Sequence, residues 1–218
     1  MIEHGGLFYP DLEKGFQKQK IWLRSLDVLE GVWPYIRRWD LAVDVGAFTG
    51  IYSIELAKRF KQVWAFEPIR ETYECLQINV PANVATFDCA LGLEAGEVDM
   101  YPGPAFMGWV HSDRKDLRMG RYAKPEERRS VKVMTLDGLL GGLEPDFIKT
   151  DCEGYDGLVL QGGREVIERC RPVILAEDKG KVRQRYDLPF VGKWLEALGY
   201  RLEARNSIDF LYVHPEAN

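Results

Sequence analysis

The chain has 218 residues, 46% hydrophobic and 29% charged, and a formal net charge of −5. One domain of this length buries a large apolar core without disulfide or metal staples. The acidic balance argues against a mainly electrostatic grip on nucleic acid or an anionic membrane.

The first forty residues read as an amphipathic helical extension to a core spanning residues 41–218 of a single domain. Ile21, Trp22, Leu26, Leu29 and Val32 or Trp33 recur at three- and four-residue steps, which places them on one helix face. Pro34 starts or kinks a second short helix. Residues Gly5 to Asp11 are free to close over a site, although nothing in the sequence demands it. From Leu41 the rhythm changes. Leu41–Val45 is a short apolar run ending at a glycine-bearing turn, as in a buried parallel strand. Ile51 to Phe60 follows as a helix, Gln62 to Phe66 as a strand ended by Glu67-Pro68, Arg70 to Asn79 as a helix, and Asn83 to Phe87 as a strand. The order βαβαβ predicts a parallel sheet covered on both faces, with right-handed crossovers.

The middle is less regular. Glu97 to Tyr101 and Val131 to Met134 read as strands flanking a long charged excursion that holds Trp109 and His111. Regularity returns with a strand at Asp146 to Thr150, a helix from Gly157 to Arg169, a strand from Pro172 to Ala176, and a helix from Pro189 to Leu198 with Gly199 as its C-cap. Tyr200 to Ala204 and Ile208 to Val213 are joined by three residues, so they pair antiparallel.

Asp44-Val-Gly-Ala-Phe-Thr-Gly50 is the sharpest motif. It follows a strand and opens a helix, and its glycines let backbone approach a ligand closely. The next strand ends in Glu67, a carboxylate placed to accept hydrogen bonds from both hydroxyls of a ribose. A dinucleotide fingerprint would read G-x-G-x-x-G and leave helix N–H groups for a pyrophosphate. This loop reads D-x-G-x-x-x-G, with Asp44 where a phosphate cradle would not want negative charge. The expected ligand is therefore a nucleoside that carries an amine and no phosphate. S-adenosylmethionine fits, with Asp44 near its amino group, and a nicotinamide-dependent dehydrogenase is disfavoured.

Six stretches in order resemble the FkbM family of S-adenosylmethionine-dependent methyltransferases. They are Val43 to Ser53, Ala65-Phe-Glu-Pro68, Ala90-Leu-Gly92, Thr135-Leu-Asp137, Asp146 to Gly154 and Pro172 to Glu177. The resemblance implies an α/β class I methyltransferase fold, Rossmann-like, with a seven-stranded, mostly parallel sheet and an antiparallel last strand. It puts the cofactor against Gly46, Ala47, Phe48, Thr49, Gly50 and Pro68, with Asp88, Cys89 and Ala90 at the adenine. It also implies oxygen as the methyl acceptor.

Methyl transfer to an alcohol needs a base within about 2.6–3.2 Å of the departing proton. Asp151, Glu153 and Lys149 cluster at the end of the fourth parallel strand and are the first candidates, Asp151 doubling as a cofactor contact. Strand alternation puts the three on one side until the turn at Gly154. His111 is a further candidate base, its ordinary pKa suiting the task. Asp151, Glu177 and Asp178 could together hold Mg²⁺, although the metal is not expected. The basic run Arg114, Lys115, Arg118, Arg121, Lys124, Arg128 and Arg129 reads as a solvated face or as a guide for an acidic acceptor. The expected activity is methylation of a hydroxyl on a small molecule or glycan, with no nucleic-acid or membrane partner and no oligomeric state specified. N-methylation of a peptide or nucleoside, and a non-catalytic binding module of the same fold, are the alternatives. No run of about 18 apolar residues occurs, and the opening segment lacks the features of a signal peptide. Cys75, Cys89, Cys152 and Cys170 form no C-x-x-C pair and read as reduced thiols of a cytoplasmic protein.

Overall fold

The computed structural model describes residues 1–10, 26–102, 108–110, 128–178, 180, 184, 189–206 and 208–217. The chain opens as a β-hairpin of β1 (Ile2–His4) and β2 (Leu7–Tyr9), turned at Gly5 and Gly6, whose φ angles are 59° and 81°. This departs from the expected helical extension. The apolar periodicity began only at Ile21, and two left-handed glycines favour a tight turn over a helix. Helix is found further on, in α1 (Asp27–Val32), followed by a 3-10 turn at Trp33–Tyr35 that Pro34 opens. Ile21 and Trp22 lie outside the described residues.

The core then alternates as expected: β3 (Leu41–Val45), α2 (Ile51–Ala57), β4 (Gln62–Phe66), α3 (Arg70–Asn79) and β5 (Val84–Phe87). A smaller sheet follows, built from β6 (Ala90–Leu91), β7 (Gly96–Pro102), β8 (Gly108–Val110) and β9 (Arg129–Met134). The chain returns through α4 (Leu136–Leu140), β10 (Phe147–Thr150), α5 (Asp156–Gln161), α6 (Arg164–Cys170) and β11 (Val173–Glu177). It ends with α7 (Val191–Ala197), β12 (Arg201–Arg205) and β13 (Asp209–Val213). The large sheet has the order β12-β13-β11-β10-β3-β4-β5. Its strands β11, β10, β3, β4 and β5 pair parallel, and β13 pairs antiparallel with both β11 and β12.

Alternation along the strands sorts the core into two layers. Val43, Val45, Ile148 and Ile174 point to one face and pack with Val159, Leu160, Val166 and Leu195 of α5, α6 and α7. Ala42, Phe147, Val173 and Leu175 point to the other and pack with Leu29, Val32, Leu56 and Leu76 of α1, α2 and α3. β3, β10 and β11 are buried along their whole length, as strands of a doubly covered parallel sheet must be. No helix among the described residues is long and apolar enough to cross a membrane. All four cysteines are free thiols.

One expected helix, Gly157 to Arg169, is two. The break falls at Gly162 and Gly163, where a Cβ on Gly162 would lie 2.0 Å from the Gly92 carbonyl oxygen. The Gly162 carbonyl accepts from the Asp137 N–H at 3.0 Å. The Asp137 carboxylate in turn accepts from the N–H groups of Val166 at 2.9 Å and Glu165 at 3.1 Å, capping α6. The Thr135-Leu-Asp137 motif is thus a fastening, with Thr135 itself capping α4 through the Gly138 N–H at 3.0 Å.

A second fastening sits at the amino ends of the strands. Asp146, 1% exposed, accepts from the N–H groups of Asp40 at 2.8 Å and Leu41 at 3.1 Å and from Arg38 Nε at 3.0 Å. Asp146→Ala would leave the buried Leu41 donor without its acceptor, so stability should fall by about 2–3 kcal/mol. Urea unfolding checks this, and a loss well below 1 kcal/mol would contradict it.

Candidate active site

The carboxyl ends of β3, β4, β10 and β11 surround a cavity of about 480 Å³, within the ~300–1,000 Å³ usual for small-molecule sites. It lies where the sheet order reverses, the chain running from β3 out to β4 and β5 on one side and to β10 and β11 on the other. Open parallel sheets bind ligands at this switch point.

The loop after β3 forms one wall, with Gly46, Ala47 and Phe48 lining the cavity. The N–H groups of Gly46 and Ala47 both donate to the Phe66 carbonyl, at 3.0 and 2.9 Å, which ties the loop to the end of β4. Gly46 has φ +77°, and a Cβ there would sit 2.1 Å from the Asp151 carbonyl oxygen. Only glycine permits that approach of two strand ends. Gly50, φ +93°, has a different task. A Cβ on it would meet Leu76 and Val80 side chains at 2.8 and 2.9 Å, so it seats the loop on α3. Thr49 and Gly50 were expected as cofactor contacts, but neither lines the cavity. Thr49 is fully buried and Gly50 faces α3.

Asp44 also departs from expectation. It does not line the cavity and is fully buried. Its Oδ2 accepts from Ser53 Oγ at 2.6 Å, and its Oδ1 lies 3.5 Å from Lys149 Nζ, its neighbour in the β3–β10 register. The even-numbered residues of β3 face α2, which is why the carboxylate turns under the loop toward Ser53.

Glu67, at the end of β4, lines the cavity and is 5% exposed. Its Oε2 accepts from the Phe48 N–H at 2.9 Å, and its Oε1 from the Ile69 N–H at 2.8 Å and Thr72 Oγ1 at 2.9 Å. Burial raises its pKa from the ordinary 4.5 to about 7, with the Asp44 charge adding, against the three hydrogen bonds that favour the ionised form. Oε2 has one protein donor in these bonds and a second lone pair for a ligand hydroxyl. Pro68 shares this wall.

Cys89 and Ala90 line the cavity with Leu91 and Gly92, as expected for the adenine end, but Asp88 is exposed and outside it. Its strand ends at Phe87, and only the buried side of the following turn reaches the cavity. Burial pushes the Cys89 thiol up to about 11 and keeps it neutral. Val98, Met100 and Val133 of the small sheet close the same end with apolar surface. The strands themselves were legible in the sequence. Their docking over the cavity was not.

At the opposite end stand Lys149, Asp151, Glu153, Glu177 and Asp209. Lys149 is 3% exposed, with Nζ 3.5 Å from Asp44 Oδ1, 3.8 Å from Asp151 Oδ2 and 4.3 Å from the centre of the Tyr52 ring. Burial works against its charge, but Asp44 and Asp151 together outweigh it and raise the pKa. Lys149 thus lines the cavity as the ion-pair partner of both carboxylates, among the candidates the sequence named at this strand end. Lys149 and Asp151 share a side, as alternation requires, and the backbone then turns at Glu153 (φ +55°) and Gly154 (φ +98°). Tyr52 and Asp209 were missed in the sequence. Asp209 reaches the cavity because β13 runs antiparallel and sets it opposite Glu177 in register.

Among the described residues no three His, Cys, Asp or Glu groups converge as metal ligands, and Asp178 does not line the cavity. His111 and the basic residues from Arg114 to Lys124 lie outside the described residues. Arg128 pairs with Asp99 at 3.3 Å, and Arg129 holds Glu71 through two bonds of 2.6 Å. These two arginines fasten the small sheet rather than offer free charge to an acceptor.

Residues 44–202 match the Methyltransferase FkbM domain. Among solved structures, the FkbM methyltransferase of Methylobacillus flagellatus KT aligns with a TM-score of 0.53 at 21% identity, over 80% of this chain and 43% of that one. The chain thus spans less than half the length of that protein. Escherichia coli yhhF, described as a methyltransferase, aligns with a TM-score of 0.50 at 14% identity, over 95% of this chain and 91% of that one. Likenesses at such identities concern the fold, while nothing among curated proteins matches. With the glycine loop, the strand-end acid and all of the cavity lining except Ile208 and Asp209 inside the matched residues, the chain belongs to the FkbM family of methyltransferases.

Proposed function

We propose that the cavity binds S-adenosylmethionine and that the chain transfers its methyl group to a hydroxyl of a small molecule or glycan. The observation that carries the reading is Glu67: a buried carboxylate with acceptor capacity left on Oε2, beside a glycine loop, suits a ribose diol. The donor set fits the rest of the group. Among the described residues five carboxylates line the cavity against one cation, Lys149, and that cation is already held by Asp44 and Asp151. Such a lining suits a sulfonium cation and opposes a pyrophosphate. Gly46, Ala47 and Phe48 would hold the amino-acid end, Glu67 the sugar, and Cys89, Ala90 and Met100 the adenine. Bound there, the group supplies an electrophilic methyl carbon.

The chain's own part is to orient the acceptor and to take its proton. Asp151, its side chain 39% exposed beside Lys149, is the base of this reading, with Glu153 next to it. A hydroxyl suits this end better than an amine. Carboxylates would hold an amine in its charged form, which has no lone pair for attack. The four free thiols suit a cytoplasmic enzyme.

Calorimetry with S-adenosylhomocysteine tests the site. Wild-type protein should bind, and Glu67→Ala and Gly46→Ala should each weaken binding by tenfold or more, that is by ~1.4 kcal/mol or more. Unchanged affinity in both variants would contradict the assignment.

The pH dependence has a definite sign. The folded pKa of Glu67, about 7, stands above its ordinary 4.5. Without ligand this group's stabilising contribution is full below 4.5 and is lost as pH rises through 7. The ionised form, the better acceptor, grows over the same rise. Affinity for S-adenosylhomocysteine should therefore climb from pH 6 to 8, by at most about tenfold per unit, and Glu67→Gln should flatten the profile. A wild-type profile that is flat or falls over this range would contradict the role.

For chemistry, methyl-labelled cofactor offered with hydroxyl-bearing and amine-bearing acceptors should label the former. Asp151→Asn should lower that rate by about 10²–10⁴-fold. Label confined to amines would favour N-methylation instead.

A further inference from the structure

Asn79, the last residue of α3, makes three short hydrogen bonds with its side-chain amide. Its Oδ1 accepts from the Phe8 N–H at 2.7 Å. Its Nδ2 donates to the Phe8 carbonyl at 2.8 Å and to the Thr49 carbonyl at 2.8 Å. The first two bonds copy the pairing of a β-ladder, so the amide acts as an extra strand partner for β2. The third fastens the cofactor loop. Both amide hydrogens are thereby engaged, and they engage different parts of the molecule. The end of α3 is already the seat of that loop, because Leu76 and Val80 lie where a Cβ on Gly50 would be. Phe48, next to Thr49, reaches Glu67 through its N–H. A continuous chain of contacts thus runs from the N-terminal hairpin through Asn79 and the loop to the acid that faces the cavity.

We infer that Asn79 is a positioning residue which couples docking of the N-terminal hairpin to cofactor affinity, although neither Asn79 nor the hairpin lines the cavity. Holding the Thr49 carbonyl restricts the loop to the conformation in which Phe48 sits at φ +51° and donates to Glu67. A loop already held in its binding conformation loses less entropy when ligand arrives. The coupling is reciprocal: whatever the hairpin adds to cofactor affinity, bound cofactor adds to hairpin docking. This inference rests on the cofactor reading above.

Hydrogen exchange and calorimetry on the full chain test it, with S-adenosylhomocysteine as the probe. In wild-type protein, saturating ligand should slow exchange of the residue 7–9 amides by about fivefold or more. Asn79→Ala should weaken binding by about 5–20-fold and make hairpin exchange indifferent to ligand. A merely structural Asn79 would loosen the hairpin equally with and without ligand. Phe8→Pro removes one hairpin donor and leaves Asn79 and Thr49 in place. It should weaken binding by about 3–10-fold, and it decides the matter should Asn79→Ala fail to fold. Wild-type binding with unchanged affinity in the variants, or with hairpin exchange that ignores ligand, would overturn the inference and leave the cofactor reading standing. Wild-type protein that does not bind the probe would overturn both.

Discussion

A single buried ammonium fixes the polarity of the site. Lys149 stands between Asp44 and Asp151, on the strand beside Asp44 and two residues before Asp151. Its Nζ lies 3.5 Å from Asp44 Oδ1 and 3.8 Å from Asp151 Oδ2, so one cation serves both carboxylates. With Lys149 present, Asp44 has an ion-pair partner beneath the loop, and Asp151 reaches the cavity beside a positive charge. The pair depends on parallel register between β3 and β10, which the apolar layers on both faces enforce. A slip of one residue would turn Asp44 into one layer and Val43 into the other.

The same junction explains why backbone rather than side chain builds one wall. Gly46 brings the ends of β3 and β10 closer than any Cβ allows, and its N–H is taken by Phe66 from β4. Three strand ends are thereby locked around one loop. Among the described residues the charged groups that line the cavity are chiefly carboxylates, and the walls between them are apolar. That combination selects against phosphates and for a cationic, nucleoside-sized group. Buried ion pairs are weak evidence for stability, and the large apolar layers are the main source of it here.

The scaffold was legible because its strands are fully buried. A parallel strand covered on both faces must be a short apolar run, and Leu41–Val45, Phe147–Thr150 and Val173–Glu177 are such runs. The antiparallel end followed from a connection too short for a crossover. Other features were hidden for physical reasons. The hairpin at Ile2–Tyr9 has too few residues to show a period. The division of α5 from α6 answers a backbone contact with Gly92, distant in sequence. Within the site, strand ends could be read but side-chain directions could not. Asp44 turned under the loop toward Ser53, Asp88 turned to solvent, and Asp209 arrived from an antiparallel strand whose register only pairing sets.

The most direct test is a crystal structure of the protein with S-adenosylhomocysteine. The account predicts the ribose hydroxyls within hydrogen-bonding distance of Glu67 Oε2 and the adenine between Ala90 and Met100. Sulfur should lie on the Asp151 side of the loop. Ligand bound away from the ends of β3 and β4, or with its ribose turned from Glu67, would contradict it.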